Sequence, residues 1–385
     1  MRRLTPWLFI AAFFLATLLP ALQMLTRWLP EVAIDEQRRL APPPSTSATA
    51  GQFAREANLW FSDHFGFRAL LISLKAEVDY RLFHVSDKVH VGHDGYLFYR
   101  QTLDIEKPAM DRYLASHEQA AIEGITRYAA ALKEEGIGMV MVVNLLGDRF
   151  MLDKLPKVLA QRPPLTRIDE FTASLASIPN LTFVDSTEIL RETTKLRPTF
   201  HRTDFHWNDP AAFEVAKATV DAMSAAEGRS RTVWTHSLHI GTETLSGGVA
   251  RFMPLLHPPI EQAMNVKPDW AWPVGFTSLP GTPPYENVTR TAKGTPDLLK
   301  PAVFIGDSYL DGMMRSGLQA YFEGTHRIRW KADLSLETIT EAIPPDTRWV
   351  MVQFIEVSQT AVSAFADPTA VSRAIQILHS RRHLQ

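Results

Sequence analysis

The stretch that most constrains this chain is Ala302-Val303-Phe304-Ile305-Gly306-Asp307-Ser308-Tyr309-Leu310. Four apolar residues run into Gly-Asp-Ser and then into a helical pattern, which is how a buried parallel strand ends at a reactive turn. Ser308 falls on that turn. The pattern predicts a helix over Asp311–Phe322. Amides around Ser308 would then be unpaired donors at its positive end, suited to an oxyanion.

A serine nucleophile needs a base, and Thr203-Asp204-Phe205-His206-Trp207-Asn208 offers one. Asp204, two residues before His206, can accept from one ring nitrogen and leave the other free to take a serine proton. The expected catalytic set is Ser308, His206 and Asp204. Trp207 is read as a wall beside the base, and Asn208 or Asp209 as the cap of a helix with Pro210 in its first turn, running to Ala226. Taken singly, Ser308 can be a helix cap and Asp204–His206 a satisfied polar pair. Together each motif supplies what the other lacks. His201 with Asp204 and His206 is the rival metal set, but no paired-His helical signature occurs, so neither a metal nor a cofactor is expected.

These residues carry a family likeness. Gly306-Asp307-Ser308 with Asp204-x-His206-Trp207-Asn208 resembles the SGNH-hydrolase-like O-acetyltransferases of the AlgJ/AlgX type, which acetylate alginate-like bacterial exopolysaccharides outside the cytoplasmic membrane. Trp60-Phe61-Ser62-Asp63-His64-Phe65-Gly66-Phe67-Arg68 and Val91-Gly92-His93-Asp94-Gly95-Tyr96-Leu97-Phe98-Tyr99 are similar to two segments near the start of that family's domain. The four segments stand in the expected order. The resemblance implies an SGNH-like three-layer α/β/α sandwich, an acetyl-serine mechanism and a membrane-bound acyltransferase partner that supplies acetyl. It also makes Tyr99 or Asn144 conceivable as the second oxyanion donor.

The N-terminus sets the expected location. No charge occurs from Leu4 to Thr26, and at about 1.5 Å per residue this run is roughly 34 Å long, enough for a bilayer core of about 30 Å. Arg2 and Arg3 before it favour a cytoplasmic start, with the following domain in the periplasm. A cleaved signal peptide is the alternative, but the run exceeds an ordinary signal core and no Ala-x-Ala site closes it. The expected division is a membrane anchor over 1–29, a proline-rich linker over 30–52, read as a disordered tether, and a catalytic domain over 53–385.

Within that domain helices alternate with strands. Gly138–Val143, Leu181–Asp185, 302–305, Arg327–Trp330 and Arg348–Ile355 read as strands, and Leu114–Glu135, Ile168–Ala176 and Pro368–Leu378 as helices. This pattern predicts a mainly parallel sheet with its site at the strand C-termini. Residues 231–300 do not fit the alternation. Their Trp270, Trp272 and Tyr285 suit either sugar stacking or packing under loops, with packing preferred, and they mark where an acceptor groove is sought. Composition excludes other classes. A net charge of −2 without a basic stripe gives no basis for nucleic-acid binding, and the lack of cysteine rules out disulfides and thiol nucleophiles.

The functional expectation is an exopolysaccharide O-acetyltransferase at the inner membrane. An acetyl esterase using the same triad is the alternative, and a non-catalytic carbohydrate-binding scaffold is the alternative outside enzymology.

Overall fold

The computed structural model describes residues 5–30, 34, 39–165, 167–229, 235–270, 275–295 and 297–380. Trp272 lies outside them. The chain divides into two compact units, one of residues 1–91 with 248–259, the other of 92–247 with 260–385.

The first unit holds the helices Thr5–Thr26, Ala50–His64 and Arg68–Phe83, then strand β1 (Val89–Val91). The described part of the proline-rich stretch is not a free tether. The Ala41 amide donates to Asp63 at 2.8 Å and the Ser45 amide to Glu56 at 2.8 Å. Those two acids stand seven apart on one helix and so share a face. Thr49 and Gln52 cap each other at the start of the same helix in a capping box.

The second unit is the α/β body. Its strands are β2 (Leu97–Tyr99), β3 (Gly138–Asn144), β4 (Leu181–Asp185), β5 (Thr235–Leu245), β6 (Glu261–Trp270), β7 (Phe276–Pro280), β8 (Tyr285–Thr291), β9 (Ala302–Gly306), β10 (Gly324–Arg329) and β11 (Trp349–Ile355). Seven form one sheet in the order β4-β3-β11-β9-β10-β8-β7. From β4 to β10 every pairing is parallel, whereas β8 and β7 add on antiparallel. The sheet is therefore mixed, and the mainly parallel expectation holds only for those five strands.

The physical reason lies in the side chains. On β3, Met139, Met141 and Val143 face one buried layer while Val140 and Val142 face the other. Such a strand needs helices on both sides. One layer is built by Lys107–Glu134, Arg167–Leu175, Leu336–Glu341, Gln359–Ala366 and Pro368–Ser380, the other by Ser186–Leu196 and Asp209–Ala226 with short turns after β9. Strand β7 is exposed along its whole length and β8 along part, which only an antiparallel edge tolerates. Between these elements β5 and β6 pair as a separate antiparallel ribbon that alternation could not forecast.

Candidate active site

The site forms where β9 ends. Its strand is fully buried, and the chain turns through Asp307, Ser308 and Tyr309 into the helix Leu310–Arg315. That helix is shorter than the 311–322 expectation; Gly317 breaks it with a left-handed φ of 87° before a 3-10 turn. The turn is fixed by its acid. Asp307 accepts the Tyr309 amide at 2.9 Å and the Ile355 amide at 2.7 Å, binding the Ser308 turn to the end of β11. Burial pushes the Asp307 carboxyl up, and these two amides oppose the shift. The Tyr309 amide is thus already engaged, so the expectation of unpaired donors around Ser308 fails for it. Arg327, which is buried, adds a brace by donating to the Asp307 carbonyl at 3.1 Å and pairing with Asp311 at 2.8 Å.

The second arm is the loop 199–208. A bridge between Phe200 and Trp207 closes it, and the Asn208 amide donates to the Thr199 carbonyl at 2.9 Å. Asn208 caps Asp209–Ala226 through the Ala211 amide at 3.1 Å while its side-chain amide holds the Pro198 carbonyl at 2.7 Å. Asn208 is therefore a buried anchor of the loop. At the loop tip, buried Glu261 accepts the amides of Arg202 and Thr203, each at 2.9 Å, and the Thr203 hydroxyl at 2.6 Å. Nothing in the local sequence around Glu261 signals this role, because the partners lie 58 and 59 positions away.

These two arms bring the named side chains together. The Asp204 Oδ1 lies 2.6 Å from His206 Nδ1, and His206 Nε2 lies 2.7 Å from Ser308 Oγ. Asp204 also accepts the His206 amide at 3.1 Å, which sets the ring plane. Phe205 stacks on the imidazole at 4.2 Å and Tyr309 lies tilted 5.0 Å from it. Trp207 lies beneath, fully buried, its indole donating to the Tyr309 carbonyl at 3.0 Å. Gly312 makes room for it, since a Cβ there would sit 2.7 Å from the indole nitrogen.

Ser308 and His206 open into a pocket of about 350 Å³. Trp207, Asp311 and Arg315 line it together with Glu243, Leu245 and Met264 of the ribbon. The ribbon residues were not legible in sequence, because only the pairing of β5 with β6 carries them there. His201 also lines this pocket, and burial holds its imidazole below the ordinary histidine range despite the pull of Glu261.

The remaining expected site residues part company here. Tyr99 lies by Phe205 at 6.4 Å and lines a narrow cavity behind Asp204, with Met151 and Phe200, not the Ser308 pocket. Asn144 is completely buried at the end of β3, where its side-chain oxygen accepts from Gln353 at 2.7 Å and its side-chain nitrogen has no partner among the described residues. Trp270 ends β6 six residues beyond Met264, which in a strand is about 20 Å further along. Tyr285 lies 4.9 Å from His326 and donates to the Ala342 carbonyl, so its ring serves packing and is not brought to the site.

Residues 89–271 match a family model described as the SGNH hydrolase-like domain of the acetyltransferase AlgX. The AlgJ/AlgX-type likeness read from the motifs therefore holds, and Asp204 and His206 lie within the matched span while Ser308 follows it. The fold is similar to the O-acetyltransferase domain of Pseudomonas putida AlgJ, at 19% identity and a TM-score of 0.49 over 76% of this chain and 99% of that one. It is also similar to Pseudomonas aeruginosa AlgX, at 11% identity and 0.46 over 75% and 65%, and to Bacillus cereus PatB1, at 12% and 0.46 over 64% and 92%. No curated protein matches at a significant level.

Proposed function

We propose that this protein is an O-acetyltransferase that passes acetyl groups to hydroxyls of a bacterial exopolysaccharide through an acetyl-Ser308 intermediate. The single observation that carries the reading is the hydrogen-bonded line Asp204–His206–Ser308, opening at Ser308 into the pocket. Ser308 Oγ forms a bond to the donor's acetyl carbon while its proton moves to His206 Nε2. Asp204 holds the Nδ1 hydrogen and stabilises the imidazolium. Collapse of the tetrahedral intermediate expels the donor's oxygen, which takes that proton. A sugar hydroxyl then attacks the acetyl carbon while its proton moves to His206, and collapse of the second intermediate breaks the bond to Ser308 Oγ, which takes that proton back.

Hydrolysis runs through the same intermediate with water as the acceptor, so discrimination rests on positioning. Water stands at about 55 M, and a transferase must hold its acceptor at a higher effective concentration. The ribbon is the acceptor surface in this reading, since Glu243, Leu245 and Met264 flank Ser308 and Trp270 follows along the same strand. The long uncharged N-terminal helix supports a single-pass anchor with the catalytic domain in the periplasm. A membrane-bound acyltransferase is the partner that supplies acetyl.

The test gives the full-length protein a chromogenic acetyl ester with and without oligosaccharides, following free acetate and acetylated sugar by mass spectrometry. Acetylated oligosaccharide that vanishes in Ser308→Ala supports transfer. Free acetate alone from every acceptor, together with stripping of pre-acetylated polymer, makes the protein an esterase. No turnover and no serine-directed adduct on folded protein leaves the carbohydrate-binding scaffold.

A further inference from the structure

The first unit carries apolar surface that its own fold does not cover. On Arg68–Phe83, Leu71, Leu74, Val78 and Leu82 recur every three or four residues and all are exposed, as are Phe53 and Phe61 on Ala50–His64. Recurrence at that spacing makes one narrow helical stripe, bordered by the exposed cations Lys75 and Arg81, and apolar residues edged by cations suit a membrane interface. What covers it is indicated by the elbow between the two helices. Gly66 lies so close to the N-terminal helix that a Cβ there would be 1.9 Å from the Pro20 carbonyl oxygen and 3.0 Å from the Gln23 Cβ.

Pro20 is inside the apolar span. It lies six residues before the helix ends at Thr26, which is about 9 Å along the axis. The end itself is well marked. Gln23 is buried and its side-chain amide donates to the Leu29 carbonyl at 2.8 Å and accepts the Leu29 amide at 3.1 Å, folding the chain back. Arg27 and exposed Trp28 stand at this reversal, residue types that favour the lipid–water boundary.

We propose that the elbow Phe65-Gly66-Phe67 is set into the interfacial layer of the bilayer leaflet from which the anchor emerges, with Phe61 and the Leu71–Leu82 stripe against lipid. The inference rests on the anchor reading under Proposed function. A contact about 9 Å below the helix end matches the depth of about 5–10 Å at which amphipathic helices settle in a membrane interface. The polar groups near the elbow fit that depth and exclude the bilayer centre. Asp63 accepts the Ala41 amide and His64 Nδ1 pairs with the Trp60 carbonyl at 2.9 Å, so they enter the interface already hydrogen-bonded. The unit then lies on the membrane instead of hanging from it.

Because the chain has no cysteine, single-cysteine variants report position directly. Leu15→Cys in the span, Phe61→Cys, Leu71→Cys and Val78→Cys in the proposed surface, and Lys300→Cys as an aqueous control are labelled with an environment-sensitive fluorophore. Each full-length protein is reconstituted in phosphatidylethanolamine–phosphatidylglycerol nanodiscs and titrated with a lipid-borne nitroxide or with iodide. The expectation is strong nitroxide quenching at positions 15, 61, 71 and 78, and iodide quenching several-fold weaker there than at 300. If 61, 71 and 78 behave like 300 while 15 remains in lipid, the elbow inference is wrong and the anchor stands. If 15 also behaves like 300, the anchor reading falls as well. Shielding of 61, 71 and 78 from both quenchers means a second copy covers the stripe, which overturns lipid as its occupant. Gly66→Val should lift the elbow, weakening nitroxide quenching at 71 but not at 15; unchanged quenching at 71 in that variant counts against the Pro20 contact as the cause.

Discussion

Two polar clusters near the ends of the central strands are wired in opposite ways. One is the line Asp204–His206–Ser308. The other joins Lys107, Asp148, Arg149 and Glu356, where Lys107 Nζ lies 2.6 Å from Asp148 and 3.1 Å from Glu356. Glu356 in turn holds Arg149 at 2.8 Å and the Leu146 amide at 2.8 Å, and Arg149 reaches Asp169 at 2.9 Å. Glu356 is 1% exposed. Here each charge has an opposite one in contact, so protons are held in place. Burial pushes the Asp148 carboxyl up, and Lys107 pulls it back most strongly. In the line Asp204–His206–Ser308 the contacts run one after another and end at a hydroxyl facing a pocket, which under the proposed mechanism leaves a proton a path to follow. The difference lies in connectivity: a closed set of ion pairs fixes the loop after β3, whereas the other set is an open chain of hydrogen bonds.

The sharpest way to break the comparison is to cut each cluster once. Ser308→Ala or His206→Ala should lower acetyl transfer by about 10³-fold or more, as removing a member of such a relay does, while far-UV circular dichroism and the melting temperature stay near wild type. A variant retaining a tenth of the activity would mean that another group carries the chemistry. Glu356→Gln should do the reverse. It leaves Lys107 with Asp148 alone and Arg149 with Asp169 alone, and weakening buried hydrogen bonds between charged groups costs about 1.5–3 kcal/mol. Denaturant unfolding should show that loss, with activity per folded molecule retained.

A smaller change sharpens the role of the loop. Asn208→Ala removes a helix cap worth about 1 kcal/mol and also frees the Pro198 carbonyl next to the loop that carries His206. It should reduce turnover and stability together, separating it from both variants above. The smallest effect is a pH difference. His201 is held below its ordinary value by burial, so above about pH 6.5 the folded and unfolded states are both neutral there and it contributes nothing. As pH falls below that value the unfolded chain takes the proton first, and stability declines. Melting curves of wild type and His201→Gln should converge near neutrality and differ towards pH 5, with wild type losing more.

Much of the site was local enough to read in the sequence. Gly306-Asp307-Ser308 after a buried strand, and Asp204-x-His206 before the cap Asn208, are set by neighbours within a few residues, and the short-range rules of turns, caps and strand burial apply to them directly. The same holds for the helix Asp209–Ala226 and for Leu181–Asp185, found at their expected limits. What the tertiary structure decided depends on residues far apart in sequence. Glu261 anchors Thr203 from 58 positions away, and Arg327 braces Asp307 from 20. The antiparallel edge β8–β7 and the ribbon β5–β6 follow from pairing partners, which a strand's own sequence does not name, and so the wall of the pocket at Glu243 and Met264 was invisible. The helix after Ser308 was overestimated for the same reason: its apolar pattern continues to Phe322, but the left-handed turn at Gly317 lets Leu318 and Tyr321 pack into the core as a separate turn. Periodicity reports which face of a segment is apolar; only packing decides which partner that face meets.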